Sequence, residues 1–354
     1  MKKNKVATEL LIWYENNKRD LPWRQDRNPY RIWLSEIILQ QTRVDQGLPY
    51  YLKFTELYPT IHHLANASED KVLRVWQGLG YYSRAKNLHK CAKIIVEKYN
   101  GKFPSSRDEL ITLPGIGLYT SAAIASFAFK KKEAVVDGNV IRVITRLYGI
   151  DGDITNQKTL NQIKSIADEL IPSTHPDLFN QAIMEFGALY CTPKNPLCES
   201  CRFISLCDAQ IKGEHDNIPF KPRKLKKRIR FFNYFLFEFN DKVLLRKRIG
   251  KDIWNGLFEF YLIETDIETS LDYLEMPKTL ARYPNDWEIV TESKMYKHLL
   301  SHQTIMCRFY KVLMHKEFKY NPVDWTDYQL YSKKEILDLP KSILIDRYLG
   351  EKII

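Results

Sequence analysis

Four of the chain's six cysteines lie in one short stretch, "CTPKNPLCESCRFISLC", with the spacing C-x6-C-x2-C-x5-C from Cys191 through Cys198 and Cys201 to Cys207. A structural zinc site usually has two close pairs of ligands, whereas this array has one C-x2-C pair and two flanking cysteines. Four thiolates around one compact loop suit a cubane iron–sulfur cluster better. We therefore expect a metal centre here, with iron favoured over zinc and over four unconnected buried cysteines.

Length and charge define the class of protein. A chain of 354 residues is longer than one typical hydrophobic core, so two domains are expected. The net charge of +11 favours an acidic polymer as partner, with nucleic acid ahead of membrane because no long apolar span occurs. The first apolar run is broken by Glu9 and Glu15, so it predicts an amphipathic helix rather than a signal peptide. We expect a cytoplasmic monomer, in a reducing compartment that favours metal ligands over disulfides.

The pattern of apolar residues changes near the middle of the chain. From Lys5 to about Gln210 they recur at helical spacing, which predicts an all-helical domain over residues 1–220. The segment "KPRKLKKRIR", residues 221–230, contains basic residues and no acid, which is typical of an exposed linker. Beyond it, "FFNYFLFEFNDKVLLRKR" predicts a hairpin around Asn240-Asp241 and "TIMCRFYKVLMH" another strand. Residues 231–354 are therefore expected to be mixed α and β.

The segment "LPGIGLYTSAAIASF" places Gly115 and Gly117 just before an apolar helix. Both glycines can adopt positive φ, and their bare backbone lets amide groups face outward at a helix N-terminus, where an anion is favoured. Such a hairpin binds phosphate without reading sequence. The alternative is that the glycines only permit close helix packing.

Two acids lie in settings that are unusual for surface charges. Glu36, in "RIWLSEIILQQTRV", has apolar neighbours, which would raise its pKa and let it act as a general acid, unless it lies on a solvated helix face. Asp137, in "AVVDGNVIRVITRLYG", precedes a helical run and is either an N-cap or an anion held near the acid. A protonated acid beside an ionised one is the pairing that cleaves glycosidic bonds.

Together the hairpin, the "VDGNV" aspartate and the cysteine loop resemble the endonuclease III superfamily of DNA glycosylases. Within it, "LPWR", "SEIILQQTRV", "GLGYYSRA" and "FNQAIMEFGALYC" are similar to the MutY-type adenine glycosylases. The resemblance covers roughly residues 1–210, with a weaker likeness of the second half to a Nudix-like module. It implies a mainly α helix-hairpin-helix domain with a [4Fe-4S] loop at 191–207 and an α+β Nudix-like domain.

The resemblance also implies roles for individual residues. Adenine would be flipped out of the duplex, Glu36 would protonate its N7, and Asp137 would stabilise the sugar cation directly or through a covalent intermediate. The further residues that match family positions assist catalysis (Tyr119, Asn139), contact the base (Leu21, Trp23, Arg24, Gln181) or wedge into the stack (Gln41, Tyr81). The metal ligands would be Cys191, Cys198, Cys201 and Cys207.

The opposite strand would hold 8-oxoguanine, which the family reads partly through a Phe-Ser-His motif. Here "HLLSHQ" retains Ser301 and His302 but has Leu300, which cannot stack as an aromatic ring does. The metal-binding Nudix signature is missing around "WNGLFEFYLIE", so no pyrophosphatase activity is expected.

Tyr119 occupies the hairpin position where bifunctional relatives carry a lysine nucleophile, and no lysine lies between Phe103 and Phe129. A Schiff-base lyase step would lack its amine. The sequence thus predicts a monofunctional, nucleoid-associated adenine glycosylase that acts on duplex DNA with A opposite 8-oxoguanine or G. The alternatives are a thymine–guanine mismatch glycosylase and a catalytically silent lesion-binding protein.

Overall fold

A computed structural model describes residues 2–222, 227–275, 286–315 and 327–352. Contacts between Cα atoms divide the chain into two compact units. The first contains residues 1–65 and 90–224, and the second contains residues 66–89 and 225–354.

The first half of the chain is helical, and no strand occurs in residues 2–222. Its helices are α1 (Lys2–Asn17), α2 (Pro29–Leu39), α3 (Val44–Leu57), α4 (Ile61–Asn66), α5 (Glu69–Trp76), α6 (Ser83–Tyr99), α7 (Arg107–Leu110), α8 (Leu118–Phe129), α9 (Gly138–Tyr148), α10 (Gln157–Leu170), α11 (Pro176–Leu189) and α12 (Asp208–Ile211), with a 3₁₀ turn at Pro22–Arg24. The all-helical prediction is confirmed.

Local signals fix the helices that later prove functional. The Asn28 side chain accepts hydrogen bonds from the first amides of α2, and Pro29 occupies the first helical position. The Asp137 side chain caps α9, which ends at Gly149 with φ of 59°. Helix α8 has buried residues along most of its length, as its mainly apolar and small side chains predict.

The core of the first unit forms where α1, α9, α10 and α11 meet. Buried side chains from α1, including Leu10, Trp13 and Tyr14, join Phe179 and Phe186 of α11 in one cluster. The Trp13 and Phe186 rings meet edge to face with centroids 5.1 Å apart. Because this core buries the apolar side chains of α1 and α11, it also determines which side of each helix faces the site described below.

The second unit contains a mixed sheet. Its strands are β1 (Arg228–Phe239), β2 (Lys242–Lys247), β3 (Phe258–Glu259), β4 (Tyr261–Thr265), β5 (Trp287–Glu292), β6 (Tyr296–Leu299), β7 (Gln303–Met314) and β8 (Tyr328–Ser332), with helices α13 (Lys333–Asp338) and α14 (Ile343–Lys352) and a 3₁₀ turn at Leu271–Tyr273. Strand β1 pairs parallel with β7 and antiparallel with β2 and β4. The mixed α and β prediction is confirmed.

The predicted hairpin joins β1 to β2. Asn240 and Asp241 have φ of 47° and 60°, the pair of positive values that a type I′ turn requires. The predicted strand "TIMCRFYKVLMH" is also present, as β7. These two segments were predictable because turn chemistry and strand pattern are local properties.

The predicted linker 221–230 needs a correction at its end. Strand β1 begins at Arg228, and Arg230 is only 7% exposed. Its guanidinium donates to Glu264 at 2.6 Å and to Asp252 at 2.9 Å, so the charge is buried with two acidic partners rather than solvated. Residues 223–226 of the predicted linker lie outside the described residues.

No helix in the described part of the chain is long and apolar enough to cross a membrane.

Candidate functional site

A cleft of about 1350 Å³ opens in the first unit. Its lining includes the predicted catalytic and base-recognition residues: Leu21, Trp23, Arg24, Glu36, Tyr119, Asp137, Asn139 and Gln181. They come from segments distant in sequence, namely the 3₁₀ turn, α2, α8, the start of α9 and α11. The structure therefore brings these side chains to one cleft, which has room for a small ligand together with part of a polymer.

Glu36 is the acid of this cleft with the most perturbed ionisation. It lies on α2, is 8% exposed, and accepts a hydrogen bond of 2.6 Å from the Tyr119 hydroxyl. Burial raises the pKa of Glu36, the Tyr119 hydrogen bond lowers it and the Asp137 charge raises it, to a net value of about 7. The predicted burial of Glu36 is confirmed, and the carboxyl can hold a proton near neutral pH.

Asp137 lies in a richer hydrogen-bonding environment. Its carboxylate accepts hydrogen bonds of 2.8 Å from the Val140 amide and from the Asn139 side chain. Burial raises the pKa of Asp137 above its ordinary value, although these donors and the Arg142 charge offset part of that rise. Arg142 in turn donates to Asn139 at 2.9 Å and holds that amide in place. Asp137 therefore caps α9 and also lies near Glu36, so both alternatives for this residue hold together.

The end of the cleft that contains the predicted base-recognition residues combines apolar walls with fixed polar groups. Leu21 and Trp23 are buried, and the Trp23 ring meets Tyr51 edge to face at 5.0 Å. Gln181 accepts a hydrogen bond of 2.6 Å from the Tyr14 hydroxyl. A flat ring could be held between such walls while the polar groups select its edge.

Sequence reasoning missed Glu185, which lies one turn after Gln181 on α11. It is 1% exposed and accepts hydrogen bonds from Arg19 at 2.7 and 2.8 Å and from Arg24 at 2.9 Å. These partners hold the pKa of Glu185 at about 2 even though burial acts in the opposite direction. The available signal was a single acid in the apolar run "AIMEFGAL".

The glycine hairpin precedes α8, the helix that carries Tyr119. Gly115 adopts a φ of 77°, as predicted. For Gly117 the prediction of positive φ is wrong, because this residue is an extended N-cap with φ of −95°. A Cβ atom built at Gly117 would have no neighbour within 4 Å. The N-terminus of α8 is therefore open to an incoming group.

Residues 34–169 match the family model described as HhH-GPD superfamily base excision DNA repair protein, and residues 233–351 match the NUDIX domain model. The adenine DNA glycosylase of Buchnera aphidicola (subspecies Baizongia pistaciae) is 36% identical over 84% of this chain and 82% of its own length. The chain belongs to the adenine DNA glycosylase family. It is a DNA glycosylase of base excision repair.

Solved structures agree with this fold. A thermostable thymine-DNA glycosylase is 32% identical, has a TM-score of 0.55 and covers 60% of this chain and 97% of its own. Endonuclease III in a non-covalent complex with DNA is 25% identical, has a TM-score of 0.52 and covers 60% and 97%. DNA is accordingly the partner of this glycosylase.

The four cysteines of the glycosylase's 191–207 loop line one pocket, whose wall also includes Val143 and Phe186. Arg146 donates to the Cys191 sulfur, and the Phe203 amide donates to the Cys201 sulfur, each at 3.4 Å. In the described residues no three His, Cys, Asp or Glu side chains form a group that could hold a single metal ion. The four cysteines therefore border one shared space.

The second unit of the glycosylase joins two predicted DNA-contacting segments. The Tyr81 hydroxyl donates a hydrogen bond of 2.6 Å to the Ser301 hydroxyl, and Ser301 lies 3.3 Å from Nδ1 of His302. Ser301 and His302 are exposed in the turn between β6 and β7. Tyr81 is 44% exposed and has a φ of 47°, an uncommon backbone for a bulky residue.

Gln41, the other predicted wedge residue, lies in the first unit just after α2. It too is exposed and has positive φ, 56°. Left-handed backbone at a residue other than glycine is costly and is concentrated at functional sites. The two predicted wedges thus share a strained, exposed geometry, although their roles stay predictions.

Proposed function

We propose that this glycosylase removes adenine opposite 8-oxoguanine or guanine and hydrolyses the N-glycosidic bond without cutting the strand. The observation that supports this most strongly is the pairing of Glu36 and Asp137 in one cleft, with the pKa of Glu36 raised to about 7. A carboxylic acid that keeps its proton can donate it to a leaving group, while a nearby carboxylate stabilises positive charge.

The reaction would begin when adenine is flipped into the cleft, because its bond to the sugar cannot be reached inside the stack. Glu36 would donate its proton to N7, so that the electron pair of the C1′–N9 bond can leave with a neutral base. Asp137 would stabilise the cation that develops on the sugar, and water would then add at C1′ and give up one proton to the Glu36 carboxylate. The products are free adenine and an abasic site.

Tyr119 and Asn139 would position the two acids. The Tyr119 hydroxyl holds one oxygen of Glu36 by its 2.6 Å hydrogen bond, which leaves the other oxygen for the base. Asn139 holds Asp137 in the same way through its side-chain amide. Since the hairpin carries tyrosine rather than lysine at position 119, no amine is present there to form a Schiff base.

Sequence-independent contacts to the duplex would come from the Gly115 and Gly117 hairpin, whose exposed backbone precedes α8. Gln41 and Tyr81 would fill the gap left by the flipped nucleotide, which offsets part of the unstacking cost. Both side chains are exposed and held by a left-handed backbone.

Recognition of the opposite base would involve Ser301 and His302. The Tyr81 hydroxyl fixes Ser301, so a wedge residue and the lesion-reading turn would act together. We assign lesion reading to residues 231–354 and glycosylase chemistry to residues 1–220. The enzyme would work as a monomer in the cytoplasm, associated with the nucleoid.

Cys191, Cys198, Cys201 and Cys207 would hold a [4Fe-4S] cluster. A single zinc ion needs four sulfurs about 2.3 Å from one point, whereas a cubane takes each cysteine to a different iron. The four side chains line one pocket, and the sulfurs of Cys191 and Cys201 accept hydrogen bonds from Arg146 and the Phe203 amide, which would stabilise thiolate ligands of a cluster. When bound, the cluster would brace the 191–207 loop beside α9.

Single-turnover excision tests the proposal. Duplexes with A opposite 8-oxoguanine, A opposite G, A opposite T and T opposite G are compared, and strand breaks are scored before and after alkali. We expect adenine release from the first two, with breaks only after alkali. Preferential thymine release would indicate a mismatch thymine enzyme, and tight binding without release would indicate a silent lesion binder.

Glu36→Gln provides the matched control. It preserves the size of the side chain and its contact with Tyr119 but has no carboxylic proton to donate. We expect excision to be lost and duplex binding to be retained.

A further inference from the structure

At the proposed base-recognition end of the cleft, the side chains of Tyr14 and Gln181 form a hydrogen bond that takes no direct part in the proposed chemistry. The Tyr14 hydroxyl lies 2.6 Å from Oε1 of Gln181, although the two residues are far apart in sequence. A carbonyl oxygen can only accept, so the hydroxyl donates. The amide of Gln181 therefore has a defined orientation.

Tyr14 is a rigid anchor for this contact. It is 4% exposed and belongs to the core cluster that includes Leu10, Phe179 and Ala182. The Arg24 guanidinium lies 5.8 Å from the centre of its ring. Burial raises the pKa of Tyr14, so its hydroxyl keeps the proton that it donates. A ring packed between α1 and α11 cannot follow a moving glutamine.

Rotation of the Gln181 amide by half a turn would exchange its oxygen and nitrogen. The hydroxyl could then accept from Nε2, but its own proton would lose its acceptor. Within the described part of the chain that proton has one hydrogen-bond acceptor, Gln181 Oε1. Leaving a buried donor unpaired is unfavourable, so the observed orientation is strongly preferred.

A fixed amide has a fixed chemical preference. In this orientation the Gln181 amide offers the base an acceptor, the second lone pair of Oε1, beside a donor, the Nε2 amino group. Adenine presents the complement, an amino group beside a ring nitrogen acceptor. Hypoxanthine presents an oxygen beside N1–H, which only the rotated amide would match.

We propose that Tyr14 is a positioning residue that sets base specificity by holding the Gln181 amide in the orientation that reads adenine. The inference rests on the proposed function and on Gln181 facing the base. It extends that function by identifying what distinguishes adenine from a 6-oxopurine of nearly the same shape.

The test compares single-turnover excision of adenine and of hypoxanthine, each opposite 8-oxoguanine. Tyr14→Phe keeps the ring and removes only the hydroxyl. We expect the ratio of the two rates, adenine over hypoxanthine, to fall about tenfold because the amide can now rotate freely. Equal slowing of both substrates would show a merely structural role and overturn the inference.

Tyr30→Phe is the matched control. Tyr30 is also 4% exposed and its hydroxyl donates a bond of 2.6 Å, but to the backbone oxygen of Tyr58. It does not line the cleft. The control should lose stability without a change in the ratio, and a change as large as that of Tyr14→Phe would overturn the inference.

Gln181→Met completes a double-mutant cycle. Methionine has similar length and no amide, so this variant should lower the ratio by itself, and adding Tyr14→Phe should lower it no further. Gln181→Met also serves if Tyr14→Phe does not fold, because an unchanged ratio would show that the amide does not read the base. Wild-type protein that releases no adenine would instead refute the proposed function.

Discussion

The Tyr119 hydroxyl donates a hydrogen bond of 2.6 Å to Oε2 of Glu36. This bond favours the ionised carboxylate and so lowers the pKa of Glu36, whereas burial and the Asp137 charge raise it, to a net value of about 7. The acid is therefore about half protonated at neutral pH. An acid in this state can give up its proton during the reaction and recover it between turnovers.

The pH dependence of excision follows from this balance. In the proposed mechanism Glu36 acts when protonated, so the single-turnover rate should fall about tenfold per pH unit above pH 7. Tyr119→Phe removes the hydrogen bond that lowers the pKa of Glu36, so the fall should move to higher pH. Rates measured across this range check both statements, and an unshifted profile in Tyr119→Phe would contradict the second.

The raised pKa of Glu36 should also make the stability of the folded protein depend on pH. The pKa of Glu36 is raised from 4.5 to about 7 in the folded protein, so its contribution is fully present below pH 4.5 and is lost as pH rises through 7. Glu36→Gln should therefore be more stable than wild type at pH 8, by about 3 kcal/mol at most, and similar at pH 4. Urea unfolding at the two pH values measures the difference.

Local features were predictable from the sequence, and long-range ones were not. The positive φ of Asn240 and Asp241 follows from their own chemistry, and the burial of Glu36 follows from its helical neighbours. The contact of Glu185 with Arg19 instead joins residues 166 positions apart, which no local pattern encodes.

Charged segments show the same limit. The basic run over residues 221–230 predicts a solvated segment, but Arg230 lies in β1 and forms ion pairs with Asp252 and Glu264 of later segments. Similarly, nothing in the helical pattern of residues 66–89 indicates that they group with the second unit. The gathering of the cleft residues was predictable only through family resemblance, since they come from separate helices.

Glu185 should be a major contributor to the stability of the first unit. Its side chain is 1% exposed and pairs with Arg19 and Arg24, so Glu185→Gln would leave two guanidinium groups without their anion. We expect a loss of about 3 kcal/mol at neutral pH. Thermal or urea unfolding gives the value.

Acid should remove the same stabilisation from wild type. The pKa of Glu185 is lowered from 4.5 to about 2, so its contribution is present above pH 4.5 and is lost as pH falls through 2. The gap between wild type and Glu185→Gln should therefore narrow in acid. A gap that does not change with pH would contradict the ion-pair explanation.

The cysteine pocket gives a prediction about metal content. Protein purified without oxygen should contain about four irons and four sulfides per chain and show the broad visible absorption of an iron–sulfur cluster. Cys198→Ser should lose it, whereas Cys91→Ser, which changes a buried cysteine outside the loop, should retain it. Colourless protein loaded with zinc would contradict the assignment.

We expect a substitution in the turn between β6 and β7, the proposed lesion-reading segment, to increase lesion preference. Leu300 stands where the family has phenylalanine, beside Ser301, which Tyr81 holds by its hydroxyl. Because an aromatic ring stacks on a base better than leucine does, Leu300→Phe should tighten binding to A opposite 8-oxoguanine about fivefold more than to A opposite G. Equilibrium binding in the Glu36→Gln background, which keeps the substrate intact, measures this. Leu299→Phe, one residue earlier and 63% exposed, should not change the ratio, and equal gains from both variants would show non-specific stacking.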